Sequence, residues 1–180
     1  MTGREGEQHA MPDSSGLDAR PPKILLEPVA LGARSEFIRL AKAYFQELDL
    51  EPSFHGLDKD LTAPLSTYRP PRAGLWLART APGRAAFGMI GVMPLSARSC
   101  ELKRLYVATD HRRRGWGRVL LEHALQFARA QEYLEMLVAL RHDQRDALSL
   151  AETMAFTPCA RYNRDRQVGL FLSRRLGNVD

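Results

Sequence analysis

The sequence predicts a mixed α/β fold, in which an antiparallel meander of three strands is joined to a β-α-β crossover and helices cover both faces of one sheet. Three observations indicate this fold. Three strand-like segments follow one another with short connections, an amphipathic helical segment follows the third, and a nearly continuous apolar run follows that helix. The chain of 180 residues is long enough for one such domain with a core.

The first elements are a polar leader, a strand and a helix. Residues 1–22 contain only three large apolar residues, too few to offset the entropy of ordering, so we expect a disordered leader before a domain over residues 23–180. A strand-like run follows at residues 24–29, and then a helix with Ser35 as its expected N-cap. The apolar residues of this helix recur at helical spacing: Phe37, Leu40, Ala41, Tyr44, Phe45 and Leu48.

The middle of the chain predicts the meander. Residues 57–65 are compatible with a short helix, and strands are expected at residues 74–79, 86–95 and 100–108. Gly83 lies in the turn between the first two of these strands. Short connections between successive strands favour antiparallel pairing.

The last third of the chain predicts the crossover. A helix is expected at residues 115–130, and the apolar run 134–140 indicates a strand that is covered on both faces. Asp143 is the expected cap of a third helix, and residues 159–176 predict a terminal pair of strands.

Composition limits the partners and the compartment. The net charge of +5 favours an anionic partner such as nucleic acid, an anionic membrane surface or a phosphorylated cofactor. No apolar run approaches the roughly 20 residues that span a bilayer, and the first 23 residues lack the apolar region of a secretory signal, so we expect a cytoplasmic protein without a membrane partner. Cys100 and Cys159 form neither a disulfide framework nor a zinc cluster, and no metal is expected.

A phosphate site is predicted where the third meander strand leads into a helix. Gly115 and Gly117 let the backbone approach an anion closely, and the N-terminus of a helix offers unpaired N–H groups and a positive dipole end. Four arginines concentrate positive charge at the same place: Arg112, Arg113, Arg114 and Arg118.

Other anion-binding motifs fit this segment less well. No Lys-Ser or Lys-Thr follows the glycines, as a P-loop requires, and Leu120 occupies the third glycine position of a dinucleotide fingerprint. Nucleic-acid binding through the arginines is a rival hypothesis, but the chain has neither an aromatic-interleaved platform nor a helix-turn-helix, so no nucleic-acid partner is expected.

The pattern that fits is Arg112-x-x-Gly115-x-Gly117, which meets the acetyl-CoA signature R/Q-x-x-G-x-G/A in full. On this motif, and on its place between a strand and a helix, the chain resembles the GNAT superfamily of N-acetyltransferases, in particular its small bacterial members. Residues 99–107 and 68–74 are also similar to segments of that group. The resemblance covers residues 23–176 and implies the GNAT fold.

The resemblance also implies a binding site for CoA. Backbone amides of the loop and first helical turn are expected to bind the pyrophosphate, and the end of the preceding strand is expected to pair with the pantetheine arm. The implied cofactor-binding residues are Leu105, Tyr106, Val107, Arg112, Arg113, Arg114, Gly115, Trp116, Gly117 and Arg118. The Val107 amide is expected to polarise the thioester carbonyl. The Trp116 side chain either covers the adenine or shields the helix start.

Glu101 is the predicted general base, because it lies eleven residues before Arg112, where histone-modifying relatives carry a catalytic glutamate. A substrate ammonium has to lose a proton before its nitrogen attacks the thioester, and a carboxylate accepts that proton directly or through water. The alternative is that Glu101 only pairs with a nearby Lys or Arg on an exposed strand end.

Two positions depart from the superfamily's pattern. Ala151 replaces the tyrosine that often protonates the departing CoA thiolate, and Gln144 replaces an asparagine that often contacts CoA. A thiolate is already a tolerable leaving group, since a thiol has a pKa of about 8.5. The departures leave three alternatives: a slow enzyme, an acid relocated to Tyr106 or Tyr162, or a cofactor-binding relic.

The implied function is transfer of an acetyl group from acetyl-CoA, the cosubstrate, to a primary amine of a small molecule or peptide by direct attack in a ternary complex. The alternative is a CoA-binding module with little catalysis. Residues 47–72 are expected to shape the acceptor groove. Their carboxylates suit a cationic amine or are merely solvated: Glu47, Asp49, Glu51, Asp58 and Asp60. The oligomeric state, monomer or homodimer, stays open.

Overall fold

The structure, a computed structural model, describes residues 24–49 and 57–177. The leader predicted over residues 1–22 lies outside the described residues, as does Glu51. The strands are β1 (Leu25–Pro28), β2 (Gly74–Arg79), β3 (Gly88–Pro94), β4 (Ser99–Val107), β5 (Glu135–Leu140), β6 (Thr157–Pro158) and β7 (Leu170–Arg175). The helices are α1 (Arg34–Glu47), α2 (Leu57–Thr62), α3 (Pro64–Thr67), α4 (Trp116–Ala130) and α5 (Arg145–Thr153), with 3-10 turns at Leu31–Ala33 and Thr109–His111.

The seven strands form one mixed sheet in the order β1-β2-β3-β4-β5-β7-β6. Strands β1 to β4 pair antiparallel with their neighbours, β4 and β5 pair parallel, and β7 pairs antiparallel with both β5 and β6. The chain crosses from β4 to β5 through α4, as a parallel pair requires. The predicted meander and crossover are therefore confirmed.

Each face of the sheet has its own core, because the strands alternate their side chains between two layers of helices. Helix α1 packs on one face, where the buried residues include Phe37, Leu40, Phe45, Leu75, Leu77 and Met89. Helices α4 and α5 pack on the other face, where the buried residues include Leu102, Leu120, Leu121, Leu125, Met136, Val138, Ala151 and Leu172.

Two of the predicted helix caps are wrong. Helix α1 begins at Arg34 because the 3-10 turn over Leu31–Ala33 leads directly into it, so Ser35 is already inside the helix. Helix α5 begins one residue later than a cap at Asp143 requires, with Gln144 at the N-cap position. The Asp143 carboxylate instead accepts hydrogen bonds from Arg141, at 3.0 and 2.7 Å.

Two predicted elements differ in extent. The short helix expected at residues 57–65 is two helices, α2 and α3, separated at Ala63, because Pro64 starts a new helical turn. The terminal strand pair begins earlier than expected, with β6 at Thr157–Pro158, and residues 159–169 cross between β6 and β7 without regular structure. This crossing segment places Tyr162 over the sheet, where its ring lies edge-on to Phe171 with centroids 5.4 Å apart.

A buried arginine fixes α1 to the sheet edge. Arg79, at the end of β2, donates hydrogen bonds to Glu27 of β1 at 2.8 Å and to Glu36 of α1 at 2.7 Å. Glu36 also accepts the Ala86 N–H at 2.8 Å. Burial raises and the Arg79 hydrogen bond lowers the pKa of Glu36, and the net result is a pKa below its ordinary value.

Within residues 24–49 and 57–177, no helix is both long and apolar enough to cross a membrane.

Candidate active site

A gap opens in the middle of the sheet where β4 and β5 separate. The two strands pair only over residues 99–101 and 135–137, although β4 continues to Val107 and β5 to Leu140. A β-bulge bends β4 just beyond the last pair, at Arg104, whose φ of 57° lies in the left-handed region. The separated edges expose backbone groups to which an extended ligand can hydrogen-bond.

Two connected cavities fill this gap. The outer cavity, of about 380 Å³, runs from the end of β4 to the loop before α4 and the start of α5. The inner cavity, of about 60 Å³, lies between β4 and β5 and reaches Glu101. Five residues line both cavities and mark their junction: Tyr44, Leu48, Leu105, Gln144 and Ala147.

The loop before α4 presents a run of unpaired amides to the outer cavity. Arg113 and Gly115 have positive φ values of 60° and 77°, which turn successive N–H groups toward one side. Among the described residues, no backbone hydrogen bond uses the N–H groups of residues 113–117. These amides and the N-terminus of α4 make a site suited to a pyrophosphate.

Arg112, which opens the glycine motif, forms one wall of the outer cavity. Its Nε donates to the Val107 carbonyl at 2.8 Å, and its Nη2 lies 2.6 Å from Glu47 Oε2. The guanidinium also lies over the Tyr106 ring, 5.5 Å from the centroid. This contact joins the end of α1 to the end of β4.

Eight of the ten predicted cofactor residues line the outer cavity, and Arg114 and Arg118 do not. Arg114 Nη2 donates to the Asp110 carbonyl at 3.4 Å. Arg118 pairs with Glu122 at 2.9 Å on the exposed face of α4, and its own N–H donates to Gly115 within the first helical turn. The structure therefore brings five residues of the loop and helix start together with Leu105, Tyr106 and Val107.

The Trp116 side chain shields the helix start. It is buried, and its ring centroid lies 5.6 Å from that of Phe87 in the core beneath α4. Of the two alternatives for this residue, the shielding role agrees with the burial of its side chain. A contribution of the Trp116 amide to a phosphate site stays a prediction.

The Val107 amide points into the gap. Ala108 N–H donates to the carbonyl of Phe87, the residue before β3, at 2.8 Å, and successive amides of a strand point to opposite sides. The Val107 N–H therefore faces the separated edge of β4, where the thioester carbonyl is predicted to lie. Its role as oxyanion donor stays a prediction.

Glu101 lies at the inner end of the gap, where β4 and β5 still pair. Its side chain is only 9% exposed. One carboxylate oxygen accepts the Tyr162 hydroxyl at 2.9 Å, and the other lies 3.0 Å from Lys103 Nζ. The pair with a neighbouring lysine is present, but in a buried cleft and not on an exposed strand end.

The bulge in β4 is held by a buried ion pair that the sequence did not reveal. Arg104 Nε donates to Asp60 Oδ2 of α2 at 2.5 Å, and the Tyr68 hydroxyl donates to the same oxygen at 3.2 Å. The Arg104 guanidinium also lies 4.9 Å from the centroid of the Phe45 ring. The pair crosses 44 residues of sequence, so no local pattern could have indicated it.

Tyr44 was also missed, because its spacing placed it on the apolar face of α1. Its ring packs against Phe45 and Tyr106, with centroids 5.1 and 5.6 Å away, but its hydroxyl reaches the junction of the two cavities. There Gln144 Nε2 donates to it at 3.5 Å. Ala151, on the α5 side of the inner cavity, offers no side-chain donor.

Comparison with known proteins identifies the family to which the chain belongs. The family described as Acetyltransferase (GNAT) matches residues 36–156. An uncharacterized N-acetyltransferase of Schizosaccharomyces pombe is 28% identical over 139 residues, which cover 76% of this chain and 85% of that protein.

Solved structures share the fold. An acetyltransferase of the GNAT family from Staphylococcus aureus superposes with a TM-score of 0.76 at 17% identity, over 86% of this chain and 100% of that chain. Spermidine N-acetyltransferase from Vibrio cholerae, in complex with CoA and spermine, superposes with a TM-score of 0.67 at 15% identity, over 85% of this chain and 95% of that chain. The resemblance seen in the sequence is confirmed: the chain belongs to the GNAT family of acetyltransferases and is an acyltransferase.

Proposed function

We propose that this acyltransferase moves an acetyl group from acetyl-CoA to a primary amine of a small molecule or peptide, by direct attack of the amine in a ternary complex. The observation that carries the proposal is the run of amides at residues 113–117, which make no backbone hydrogen bond to any residue that the structure describes, at one end of a gap that leads to Glu101. A ligand with a pyrophosphate at one end and an extended arm at the other fits this shape.

The two cavities suggest that different parts of acetyl-CoA would bind at different points along the gap. The outer cavity would hold the pyrophosphate on the loop amides, and the exposed edge of β4 would pair with the pantetheine arm. The Val107 N–H would donate to the thioester carbonyl and stabilise the negative charge that develops there. Glu101 would accept the proton that the attacking amine loses, directly or through water.

The cysteines support direct attack over an acyl-enzyme intermediate. Burial raises the pKa of the Cys100 thiol to about 12, and the thiol points into the core on the α4 side of the sheet. A thiol with this pKa is almost entirely protonated at neutral pH and is a poor nucleophile. Cys159 lies outside both cavities, and burial also raises its pKa.

The carboxylates expected to attract a cationic amine are in part already engaged. Asp60 binds Arg104, and Glu47 binds Arg112, so neither is a free anionic site for the acceptor. Near the inner cavity, Lys103 is likewise paired with Glu101. Because these carboxylates are already paired with basic side chains, they support an acceptor with a single reacting amine over one that is recognised through several positive charges.

A thiol-release assay tests the proposed function. Purified protein is mixed with acetyl-CoA and a panel of amines that includes amino acids, polyamines, aromatic amines and short peptides, while free CoA thiol is followed. We expect thiol release that depends on one class of amine, with a product heavier by one acetyl group in mass spectrometry.

Binding of acetyl-CoA without amine-dependent thiol release, across a broad panel, would instead support the alternative, a CoA-binding module with little catalysis. The absence of side-chain donors at Ala151 is the observation that favours this second candidate. An acetylated product from any amine excludes it.

A further inference from the structure

Tyr44 is placed where a thioester would have to pass. The outer cavity contains the phosphate-binding amides and the inner cavity contains Glu101, so a ligand that connects them crosses the junction. Of the five residues at this junction, only Tyr44 and Gln144 carry polar side chains. The polar group at the centre of the gap is therefore the Tyr44 hydroxyl, which accepts a hydrogen bond from the Gln144 side-chain amide.

Hydrogen bonds orient the Tyr44 hydroxyl. The Arg141 N–H donates to Gln144 Oε1 at 2.9 Å, so the amide nitrogen of Gln144 is the end that faces Tyr44. The phenol oxygen accepts from this nitrogen. Among the described residues, no acceptor is bonded to the hydroxyl proton, which is left for a group in the gap.

The two tyrosines expected to supply a relocated acid are engaged elsewhere. The Tyr162 hydroxyl donates to Glu101 at the inner end of the gap. The Tyr106 hydroxyl interacts with Arg112 and Glu47 at the wall of the outer cavity. Tyr44 is the hydroxyl that the structure places at the junction itself.

We propose that the Tyr44 hydroxyl donates a hydrogen bond to the thioester sulfur and stabilises the departing CoA thiolate, an inference that rests on the proposed acetyl transfer. As the amine nitrogen bonds to the carbonyl carbon, the C–S bond breaks and the sulfur keeps the electron pair. Tyr44 shares its proton with that sulfur. The amine releases its proton on the Glu101 side, and the thiolate takes up one from solvent after it leaves.

The surroundings favour this role. Burial raises the pKa of the Tyr44 phenol, so the hydroxyl stays protonated and available as a donor throughout the neutral range. The positive charges of Arg104 and Arg141 also act on this hydroxyl, although each guanidinium is paired with a carboxylate, Asp60 or Asp143. Donors aimed at developing charge in a dry site are worth far more than in water.

Tyr44→Phe tests the proposal because it keeps the ring that packs on Phe45 and Tyr106 and removes only the hydroxyl. We expect turnover to fall by about 10², while the Kd for CoA stays within about twofold. In the complex with CoA, we expect the pKa of the CoA thiol, titrated by the ultraviolet absorbance of its thiolate, to be higher than in wild type by about one unit.

Tyr133→Phe is the matched control. It also removes a buried hydroxyl, which donates to the Arg72 carbonyl at 2.8 Å, but lies outside both cavities. Its thiol titration and turnover should equal those of wild type.

An unchanged thiol pKa in Tyr44→Phe overturns the proposal, even if turnover falls, because the hydroxyl would then act only on structure. The titration needs CoA binding alone, so it decides the role of Tyr44 even if no amine in the panel is acetylated. If wild type does not bind CoA, the proposed function fails, and the role of Tyr44 fails with it.

Discussion

The hydroxyl of Tyr162 donates a hydrogen bond of 2.9 Å to the carboxylate of Glu101, across 61 residues of sequence. Burial and the neighbouring Glu101 charge raise the pKa of the Tyr162 phenol, so this proton stays on the tyrosine. The segment between β6 and β7 thus fixes the orientation of the predicted base at the inner end of the gap between β4 and β5.

Replacing Glu101 with Gln should slow acetyl transfer by about 10² to 10⁴. The glutamine side chain can still accept a hydrogen bond from the Tyr162 hydroxyl, so the fold and the CoA affinity should barely change. The glutamine cannot accept a proton from the amine. The loss should shrink as pH rises, because more of the amine then arrives deprotonated. A pH–rate profile of both proteins measures this. Similar turnover of the two proteins at every pH would show that Glu101 has only a structural role, as the ion-pair partner of Lys103.

Replacing Asp60 with Ala should destabilise the protein by about 3 kcal/mol, because it removes a buried carboxylate that pairs with the buried Arg104 guanidinium. Urea unfolding measures this. The matched control is Glu122→Ala, which breaks the exposed pair with Arg118 and should cost less than about 1 kcal/mol. Equal losses from the two variants would mean that the Asp60–Arg104 pair does not hold α2 to the bulge.

The contribution of Glu36 to stability should depend on pH. Its pKa is lowered in the folded state, so the stabilisation is present above the ordinary value of 4.5 and is lost as the pH falls through the lowered pKa. At pH 7, Glu36→Gln should cost about 1 kcal/mol, since the carboxylate is partly exposed. Urea unfolding as a function of pH should show wild type and variant converging below pH 4.5; a constant difference down to strongly acidic pH would refute the coupling to Arg79.

The fold could be predicted because its signals are local. The apolar spacing in α1 and α4, the continuous apolar run of β5 and the turn at Gly83, which adopts a φ of 72°, each depend on neighbouring residues. The glycine motif was predictable for the same reason, since the loop and the helix start are adjacent in sequence. Element ends were less accurate, because turns such as Leu31–Ala33 compete with side-chain caps.

The inner part of the site could not be predicted, because it depends on contacts between distant segments. Periodicity identifies Tyr44 as a core residue, and only the separation of β4 from β5 shows that its hydroxyl reaches the gap. The partners of Arg104 and Glu101 lie 44 and 61 residues away. The leader and the cytoplasmic location stay predictions from the sequence, and the oligomeric state stays open.

Calorimetric titration of acetyl-CoA tests most directly whether the gap is the acetyl-CoA site. Wild type should bind with a Kd on the order of 1 μM and show a raised melting temperature with ligand. Gly117→Glu should weaken binding by at least about 10², because it places a carboxylate beside the phosphate-binding amides. Gly32→Glu adds the same charge at an exposed turn, where a Cβ meets no atom within 4 Å, and should bind like wild type. Equal affinity of wild type and Gly117→Glu for acetyl-CoA would contradict the assignment of the gap as the acetyl-CoA site.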